Sequence, residues 1–215
     1  MTQLVVHHLG VSQSERIVWL CEELEIPYEL KLYARDPVTR LAPAAYKALH
    51  PIGTAPVITD GDVVLGESGA IMDYIIARHG GGRLAVKADS PDFPDYLYWM
   101  HFTNASLISS EMIRIVTGAL GIPADDPRLA FSRARATRAF DLVEARLGEA
   151  DYFAGAEFSA ADIMMGFALT TMRVFAPRDL GPFPNIRAYL QRIGARPGYQ
   201  RAMAKGDPGM TPMLS

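Results

Sequence analysis

Apolar and polar residues alternate in short blocks over the first part of the chain, and these blocks predict a small α/β domain. Leu4–Leu9 is a β-favouring run that stops at Gly10, as a first strand would. One apolar helix face follows at i, i+3, i+4 and i+7 spacing, formed by Ile17, Leu20, Cys21 and Leu24. The pattern then predicts a second strand at Tyr28–Tyr33 and a short helix from Pro43, since proline is tolerated at a helix start.

The next block predicts a hairpin and a third helix. Pro56–Ile58 and Val63–Leu65 flank Asp60-Gly61, a pair that suits the positive φ angles of a tight turn. Ser68 then begins a helical pattern that ends at three consecutive glycines, which favour a left-handed C-cap. The order β-α-β-α-β-β-α predicts a mixed-sheet domain, to which we assign residues 1–83.

Strand patterns disappear after a linker at residues 83–93, and long helical patterns replace them. Helices are predicted from Asp95 to about Ala119 and from Pro127 to Leu147. Ser159-Ala-Ala-Asp162 is a capping-box pattern, which gives Asp162 a structural rather than a catalytic role. A further amphipathic helix is predicted by Ile186, Tyr189, Leu190 and Ile193. We therefore expect residues 94–215 to form an all-helical domain.

Composition and charge narrow the class of protein. The chain has 215 residues, of which 49% are hydrophobic and 21% are charged, as in a globular protein of about two domains. A net charge of -3 provides no basic surface for nucleic acid. We find neither a signal-peptide pattern nor an apolar run long enough to span a membrane, so we expect a cytoplasmic protein without nucleic-acid or membrane partners.

The cysteine and histidine residues argue against a metal site. The single cysteine, Cys21, excludes an internal disulfide and a multi-cysteine zinc site, and its place on an apolar helix face predicts a buried structural residue. His7 and His8 are neighbours on a predicted strand and would face opposite sides, which makes them poor joint ligands. We expect no metal.

Three junctions between predicted elements suit an anionic ligand. Val11–Arg16 joins the first strand to the first helix, His50–Pro56 leads into the third strand, and Leu65–Ala70 joins the fourth strand to the third helix. Helix N-termini attract anions because their first amides are unpaired and the macrodipole is positive there. Two such N-termini and one strand edge would open toward a common place, and a zwitterionic peptide with carboxylates and a thiol would suit such a cleft.

At these junctions the chain resembles the cytosolic glutathione S-transferase family. The matching features are the strand–serine–helix opening at Ser12, the His50–Pro56 loop, the pair Glu67-Ser68 and the capping box that ends at Asp162. They follow the family's order over nearly the whole chain, and serine-type, bacterial and fungal members are the most similar. The resemblance implies an α/β + all-α fold: a thioredoxin-like glutathione-binding domain, then an all-helical domain that contributes the electrophile site.

The resemblance gives Ser12 the central role. Its hydroxyl would hydrogen-bond the sulfur of glutathione, the co-substrate, and lower the thiol pKa from its ordinary value of about 8.5. A structural interpretation stands beside this one, because Ser12-Gln-Ser-Glu15 is itself a capping-box pattern and Ser12 could cap the first helix. Ser14 is the second candidate for contacting the sulfur.

The resemblance places the other parts of glutathione along the remaining junctions. The Ser68 amide would receive the γ-glutamyl carboxylate, and Glu67 would pair with the adjacent ammonium. Pro56 corresponds to the family's cis proline, and Ala55 would pair its main chain with the cysteinyl part.

One position departs from the family's pattern. Thr54 stands where several relatives carry lysine or arginine. The glycyl carboxylate then needs another cation, and Lys31 and Arg35 are the candidates.

The resemblance also implies a small hydrophobic electrophile as second substrate, a detoxifying activity and a two-fold homodimer. Residues expected at the electrophile site are Tyr96, His101 and Asn104, although His101 could instead pack in the helical bundle. Asn104 is also a candidate to reach the glutathione of the other subunit. The alternative function is a non-catalytic binding or partner-interaction protein on the same fold. The presence of Ser12, Glu67 and Ser68 together favours the enzyme.

Overall fold

A computed structural model describes residues 3–215 and begins with a four-stranded mixed sheet. The strands are β1 Val5–Leu9, β2 Glu29–Tyr33, β3 Val57–Asp60 and β4 Val63–Gly66. Their order is β2-β1-β3-β4, with β1 parallel to β2 and antiparallel to β3, while β3 and β4 form an antiparallel hairpin. The predicted strands and the hairpin are confirmed.

Three helices connect these strands. They are α1 Glu15–Leu24, α2 Ala44–Lys47 and α3 Ser68–Arg78. The predicted apolar face of α1 is buried, with Ile17, Leu20 and Cys21 all at 0% exposure. The thioredoxin-like order predicted from the sequence is therefore confirmed.

The second half of the chain is helical, as predicted. Its helices are α4 Phe93–Phe102, α5 Ser109–Ala119, α6 Ala130–Glu149, α7 Ala160–Leu169, α8 Pro184–Gly194 and α9 Pro197–Gly206. Val86–Arg192 and Met213–Ser215 form one compact unit, to which α4 to α7 belong. Within residues 3–215, no helix is both long enough and apolar enough to cross a membrane.

The first long helix predicted in this half is continuous, but its middle is not an α-helix. Thr103–Ile108, between α4 and α5, is a π-helical segment. Hydroxyls turn back onto the helix there: Thr103 Oγ1 donates to the Trp99 carbonyl at 2.9 Å, and Ser110 Oγ donates to the Ser106 carbonyl at 2.7 Å. Such bonds compete with the main-chain ladder, so the hydroxyl-rich sequence accounts for the widened turn.

Helix α7 is the buried centre of this unit, and its predicted capping box forms. Asp162 Oδ2 accepts hydrogen bonds from the Ser159 amide at 2.9 Å and from the Ser159 hydroxyl at 3.1 Å. Its other oxygen accepts the Phe153 amide at 3.0 Å. Burial raises the pKa of Asp162 to about 6, against the opposing effect of these hydrogen bonds. The structural role predicted for Asp162 is confirmed.

The first compact unit includes a helix from far along the chain. It combines the segment that ends at Ala85 with Ile193–Pro212, and the latter carries α9. Helix α9 packs on α1, where the rings of Trp19 and Tyr199 meet edge to face at a centroid distance of 4.9 Å. The Glu23 carboxylate also accepts two hydrogen bonds of 2.8 Å from Arg196. The order of elements along the sequence does not indicate this return of the chain.

Candidate active site

The loop between β1 and α1 is held from two sides. Val11 has a φ of 51°, in the left-handed region that β-branched residues rarely adopt. The Asp207 carboxylate accepts the Val11 amide at 2.9 Å. The Arg35 guanidinium donates to the Gly10 and Val11 carbonyls at 2.9 and 2.8 Å. These bonds fix the loop that presents Ser12.

Ser12 lies ahead of α1 without capping it. The helix begins at Glu15, and the N-cap position belongs to Ser14. The Ser12 hydroxyl accepts the Ser14 amide at 3.2 Å and shares a hydrogen bond of 2.8 Å with the Ser14 hydroxyl. The capping-box interpretation of Ser12 is therefore wrong, and the residue keeps 5% exposure at the end of the loop.

Ser14 is fully buried and connects Ser12 to His8. The Ser14 hydroxyl oxygen accepts the Leu9 amide at 3.1 Å and lies 3.0 Å from His8 Nδ1. On the far side of the imidazole, His8 Nε2 lies 3.1 Å from Asp207 Oδ2. Four side chains thus form one series of hydrogen bonds from Ser12 to Asp207, which we call the serine–histidine relay.

His7 and His8 face opposite sides of β1, as predicted. The ring nitrogens of His7 lie 3.0 Å from the Tyr33 hydroxyl and 3.2 Å from Thr59 Oγ1. Those of His8 contact Ser14 and Asp207 instead.

Asp207 is a site residue that the sequence analysis missed. It is 199 residues from His8 along the chain and follows α9, so no local pattern links the two. Burial acts to raise the pKa of Asp207, but the hydrogen bond and charge of His8, the Val11 amide and the charge of Arg35 hold that pKa below its ordinary value. The carboxylate is therefore ionised at neutral pH.

The turn from β4 into α3 presents the second helix N-terminus. Glu67 is exposed and has a φ of 68°, while Ser68 begins the helix and is 2% exposed. Backbone strain of this kind is found at ligand-binding turns. The Ile71 amide bonds the Glu67 carbonyl at 2.9 Å, so the amides ahead of it point out of the helix end. A role for this turn in binding the γ-glutamyl carboxylate stays a prediction.

Arg16 is a buried cation that connects the two helix starts. It is 0% exposed, and its guanidinium donates to Gln13 Oε1 at 2.9 Å and to Ser68 Oγ at 3.2 Å. Burial lowers the pKa of Arg16 to about 9, with Glu15 opposing the change, so the group is charged at neutral pH. Arg16 belongs to a junction predicted from the sequence, but no sequence pattern indicates a role for its side chain.

The loop into β3 carries the cis proline that the resemblance implies. The Ala55–Pro56 peptide bond is cis, with Ala55 half-buried and Thr54 exposed. Antiparallel pairing of β1 with β3 places the start of β3 beside the end of β1. Ala55 therefore lies at the same edge of the sheet as the loop that carries Ser12.

The two cations predicted for the glycyl carboxylate lie in different settings. Arg35 is half-buried and also donates to the Arg40 carbonyl at 2.9 Å, so it holds the surrounding loops. The Lys31 side chain is 49% exposed and lies 3.6 Å from Glu29. A role for either cation in binding glutathione stays a prediction.

The residues predicted for the electrophile site lie on one continuous helical stretch of the second unit. Tyr96 is 6% exposed, and its ring stacks on Phe93 at a centroid distance of 6.5 Å. His101 is exposed, so the alternative that it packs in the bundle is wrong. Asn104 is half-buried within the π-helical segment. Their role in binding a second substrate stays a prediction.

Cys21 is the buried structural residue that its position predicts. Its exposure is 0%, and burial raises the pKa of the thiol, with the charge of Glu22 acting in the same direction. Across the described residues, 3–215, no cluster of three or more histidine, cysteine or acidic side chains could hold a metal ion.

Known proteins share both halves of this architecture. A family model for the glutathione S-transferase N-terminal domain matches residues 12–78, and one for the C-terminal domain matches residues 126–192. Glutathione S-transferase 3 of Schizosaccharomyces pombe is 30% identical over 227 residues, which cover 99% of this chain and 91% of the relative.

Solved structures agree with the sequence comparison. A glutathione S-transferase from Actinobacillus pleuropneumoniae is 30% identical, covers 95% of this chain and 93% of its own, and has a TM-score of 0.86. A glutathione transferase from Phanerochaete chrysosporium, solved with oxidized glutathione, covers 97% and 96% with a TM-score of 0.74. At 21% identity, the latter supports the fold alone.

Proposed function

The chain belongs to the glutathione S-transferase family, and from this premise we propose that Ser12 activates the thiol of glutathione for attack on small hydrophobic electrophiles. Glutathione transferase activity comes with the family, while the proposal assigns the residue and the chemistry. The observation that carries it is the position of the Ser12 hydroxyl. It stands ahead of the N-terminus of α1, bonded to the N-cap residue rather than to the helix.

The chemistry asked of Ser12 is modest in energy. A thiol in water has a pKa of about 8.5. A hydrogen bond to a charged partner contributes roughly 1.5–3 kcal/mol, which lowers the thiol pKa by about one to two units. The positive end of α1 and the buried charge of Arg16 act in the same direction. Together these groups would make the thiolate abundant at neutral pH.

The γ-glutamyl end of glutathione would bind at the start of α3. The outward amide of Ser68 suits its carboxylate, and the exposed Glu67 carboxylate suits its ammonium. The Arg16 guanidinium, 3.2 Å from Ser68 Oγ, adds positive charge beneath the carboxylate. Ala55 precedes Pro56 at the start of β3. Its main chain would pair with the cysteinyl part of glutathione.

The glycyl end of glutathione would lie toward Thr54. Its exposed hydroxyl offers a neutral hydrogen-bond partner, and Arg35 contributes positive charge from the loop that it holds. Lys31, the more exposed cation, is the alternative to Arg35.

The second substrate would bind at the helical domain, with Tyr96, His101 and Asn104 as its contacts. Asn104 belongs to a π-helical segment, a geometry that recurs at functional sites. We place the protein in the cytoplasm as a metal-independent, detoxifying homodimer, in which Asn104 reaches the glutathione of the other subunit. Light scattering of the active protein tests the dimer, and a monomeric mass with full activity would contradict it.

Two measurements on the wild-type protein test the function. Conjugation of glutathione to an aryl chloride measures the enzyme, and isothermal calorimetry measures glutathione binding. We expect the protein both to bind glutathione and to conjugate it. Binding without conjugation of any electrophile would favour the non-catalytic alternative, and failure to bind would contradict the site.

Glu67→Ala tests the orientation of glutathione. It removes the partner of the ammonium, so glutathione affinity should fall by about 1–3 kcal/mol. Glu157→Ala is the matched control, because Glu157 is an exposed glutamate of the second unit. Unchanged affinity in Glu67→Ala would show that the γ-glutamyl end binds elsewhere.

A further inference from the structure

The serine–histidine relay ends at a histidine–carboxylate pair that the proposed function does not use. We propose that His8 takes up the proton that leaves the glutathione thiol, by way of Ser12 and Ser14, and that Asp207 stabilises the imidazolium so formed. This rests on the proposed function of Ser12 and extends it to the destination of the proton.

Each step of the relay is within hydrogen-bond distance. The oxygens of Ser12 and Ser14 are 2.8 Å apart, Ser14 Oγ lies 3.0 Å from His8 Nδ1, and His8 Nε2 lies 3.1 Å from Asp207 Oδ2. Ser14 and His8 are both at 0% exposure, so bulk water is excluded from the middle of the series. Ser12, at 5% exposure, stands at the outer end of the series, and it is the member that the proposed function places against the thiol.

The carboxylate sets the direction of these hydrogen bonds. An ionised Asp207 only accepts, so His8 carries its proton on Nε2 and leaves Nδ1 as an acceptor. The Ser14 oxygen accepts the Leu9 amide, and its one proton goes to His8 Nδ1 at 3.0 Å rather than to the Leu9 carbonyl at 3.4 Å. Ser12 must then donate to Ser14. Both hydroxyl protons then point inward, and the Ser12 oxygen, which accepts the Ser14 amide with one lone pair, has a second lone pair for the proton of a bound thiol.

Proton transfer along this series balances with no other reagent. The thiol proton passes to the Ser12 oxygen, the Ser12 proton passes to Ser14, and the Ser14 proton passes to Nδ1 of His8. One S–H bond breaks and one N–H bond forms, leaving a thiolate and an imidazolium next to a carboxylate. All hydrogen bonds now point outward, so Ser12 donates to the thiolate. When the sulfur bonds to carbon and chloride leaves an aryl chloride, the proton on His8 returns through Ser14 and Ser12 to solvent, which restores the starting hydrogen bonds.

The surroundings of His8 hold the pair in place. Asp207 is fixed by the Val11 amide at 2.9 Å, and Arg35 is the cation whose charge acts on it. Gly206 packs against the ring, because a Cβ there would lie 3.2 Å from His8 Nε2. The carboxylate is thus pre-positioned to stabilise an imidazolium, as in other histidine–carboxylate pairs that serve a hydroxyl.

The test compares the thiolate formed with the protons released when glutathione binds to the wild-type protein. Thiolate is measured by its ultraviolet absorbance, and proton release by calorimetry in buffers of different ionisation enthalpy. If His8 keeps the proton, bound thiolate exceeds released protons at neutral pH. Equal amounts would overturn the relay and leave Ser12 as the activator. No bound thiolate would instead contradict the proposed function.

Two variants break the relay at different places. Ser14→Ala removes the hydroxyl between Ser12 and His8, while Asp207→Asn keeps the side-chain shape and an oxygen for the Val11 amide. In each, turnover at neutral pH should fall about 100-fold, the lower end for proton-transfer catalysis. The remaining thiolate should then equal the protons released. If Ser14→Ala does not fold, Asp207→Asn decides the question.

His79→Asn is the matched control. It removes a second histidine–carboxylate pair of the first unit, in which His79 Nε2 lies 2.8 Å from Asp60 Oδ2. Its turnover and its ratio of protons to thiolate should equal those of the wild-type protein. A loss of rate in Ser14→Ala and Asp207→Asn with the wild-type ratio retained would make the relay purely structural and overturn the proposal.

Discussion

The starts of α1 and α7 share one sequence pattern and use it differently. Ser12-Gln-Ser-Glu15 and Ser159-Ala-Ala-Asp162 both place a serine three residues before an acid. At α7 the serine and the acid close a capping box. At α1 the helix begins later, Ser14 takes the N-cap position, and Ser12 bonds to Ser14.

The surroundings explain the difference. Asp162 is fully buried, so its oxygens must collect donors, and the Ser159 and Phe153 amides supply them. At α1 the donors and acceptors lie outside the helix, since Asp207 holds the preceding loop and His8 holds Ser14. A serine that is not needed as a cap is available to a ligand.

The largest effect is expected for the free energy of unfolding when the acid of the α7 capping box is removed. Asp162→Ala leaves the Ser159 and Phe153 amides and the Ser159 hydroxyl without the carboxylate that accepts them. The free energy of unfolding should fall by about 3 kcal/mol or more, since each buried donor left unpaired costs about 1–3 kcal/mol. Denaturant titration measures the loss, and Asp89→Ala, at an exposed position, should be close to neutral. A small loss would mean that the box contributes little.

Ser12→Ala separates the two helix starts by function. Without the hydroxyl, the pKa of the bound thiol should rise by about one to two units, and turnover at neutral pH should drop by about one to two orders of magnitude. Thiolate absorbance against pH measures the first effect. In Ser90→Ala, which loses a bond of 3.2 Å to the Asp92 amide much like that of Ser12 to Ser14, both should be unchanged. A variant that melts earlier but keeps its rate would reduce Ser12 to a structural role.

The pH dependence of stability gives a second test of the buried Asp162 at the start of α7. Burial raises the pKa of Asp162 from 3.8 to about 6 in the folded protein. The folded state therefore holds this proton more tightly than the unfolded state. The contribution of Asp162 to stability is thus fully present below about pH 4 and is lost as the pH rises through 6. The loss is roughly 1–3 kcal/mol. Denaturation of the wild-type protein and of Asp162→Asn between pH 4 and 7 should diverge by that amount, and parallel curves would contradict the assignment.

Ser159→Ala should give the smallest effect. Loss of a helix cap costs about 1 kcal/mol of unfolding free energy, and the thiol pKa of bound glutathione should stay as in the wild-type protein. In Ser12→Ala, by contrast, the thiol pKa should change more than the free energy of unfolding. This difference would show that the two serines have different functions. Equal changes of the thiol pKa in Ser159→Ala and Ser12→Ala would contradict this difference in function.

How far the sequence predicts the molecule depends on the range of the interactions. The apolar face of α1, the hairpin at Asp60-Gly61 and the box at Ser159 are set by residues close in sequence, and all three were predicted. The cis bond before Pro56 came from the family resemblance and is confirmed. No periodicity or motif in the sequence predicts the pairing of His8 with Asp207, because this contact depends on where α9 packs.

The same holds for Arg16 and for the π-helical segment. Arg16 reads as a polar residue in the first turn of a helix, and its burial follows from a contact with Ser68 that is 52 residues away. The hydroxyls that widen Thr103–Ile108 are visible in the sequence, but helical periodicity does not distinguish a π turn from an α turn. The candidate site is therefore predicted as a set of segments, and its inner connections are not.

Because α9 packs on the first unit, that unit can be completed only late in the synthesis of the chain on the ribosome. His8 and Ser14 emerge early, but the carboxylate that completes their environment is made 199 residues later. At about 5–20 residues per second, the strand that carries His8 waits tens of seconds for Asp207. During that interval α1 also lacks the helix that covers it. The nascent first unit therefore lacks this cover until nearly the whole chain has been translated, and exposed apolar surface of this kind is prone to aggregate.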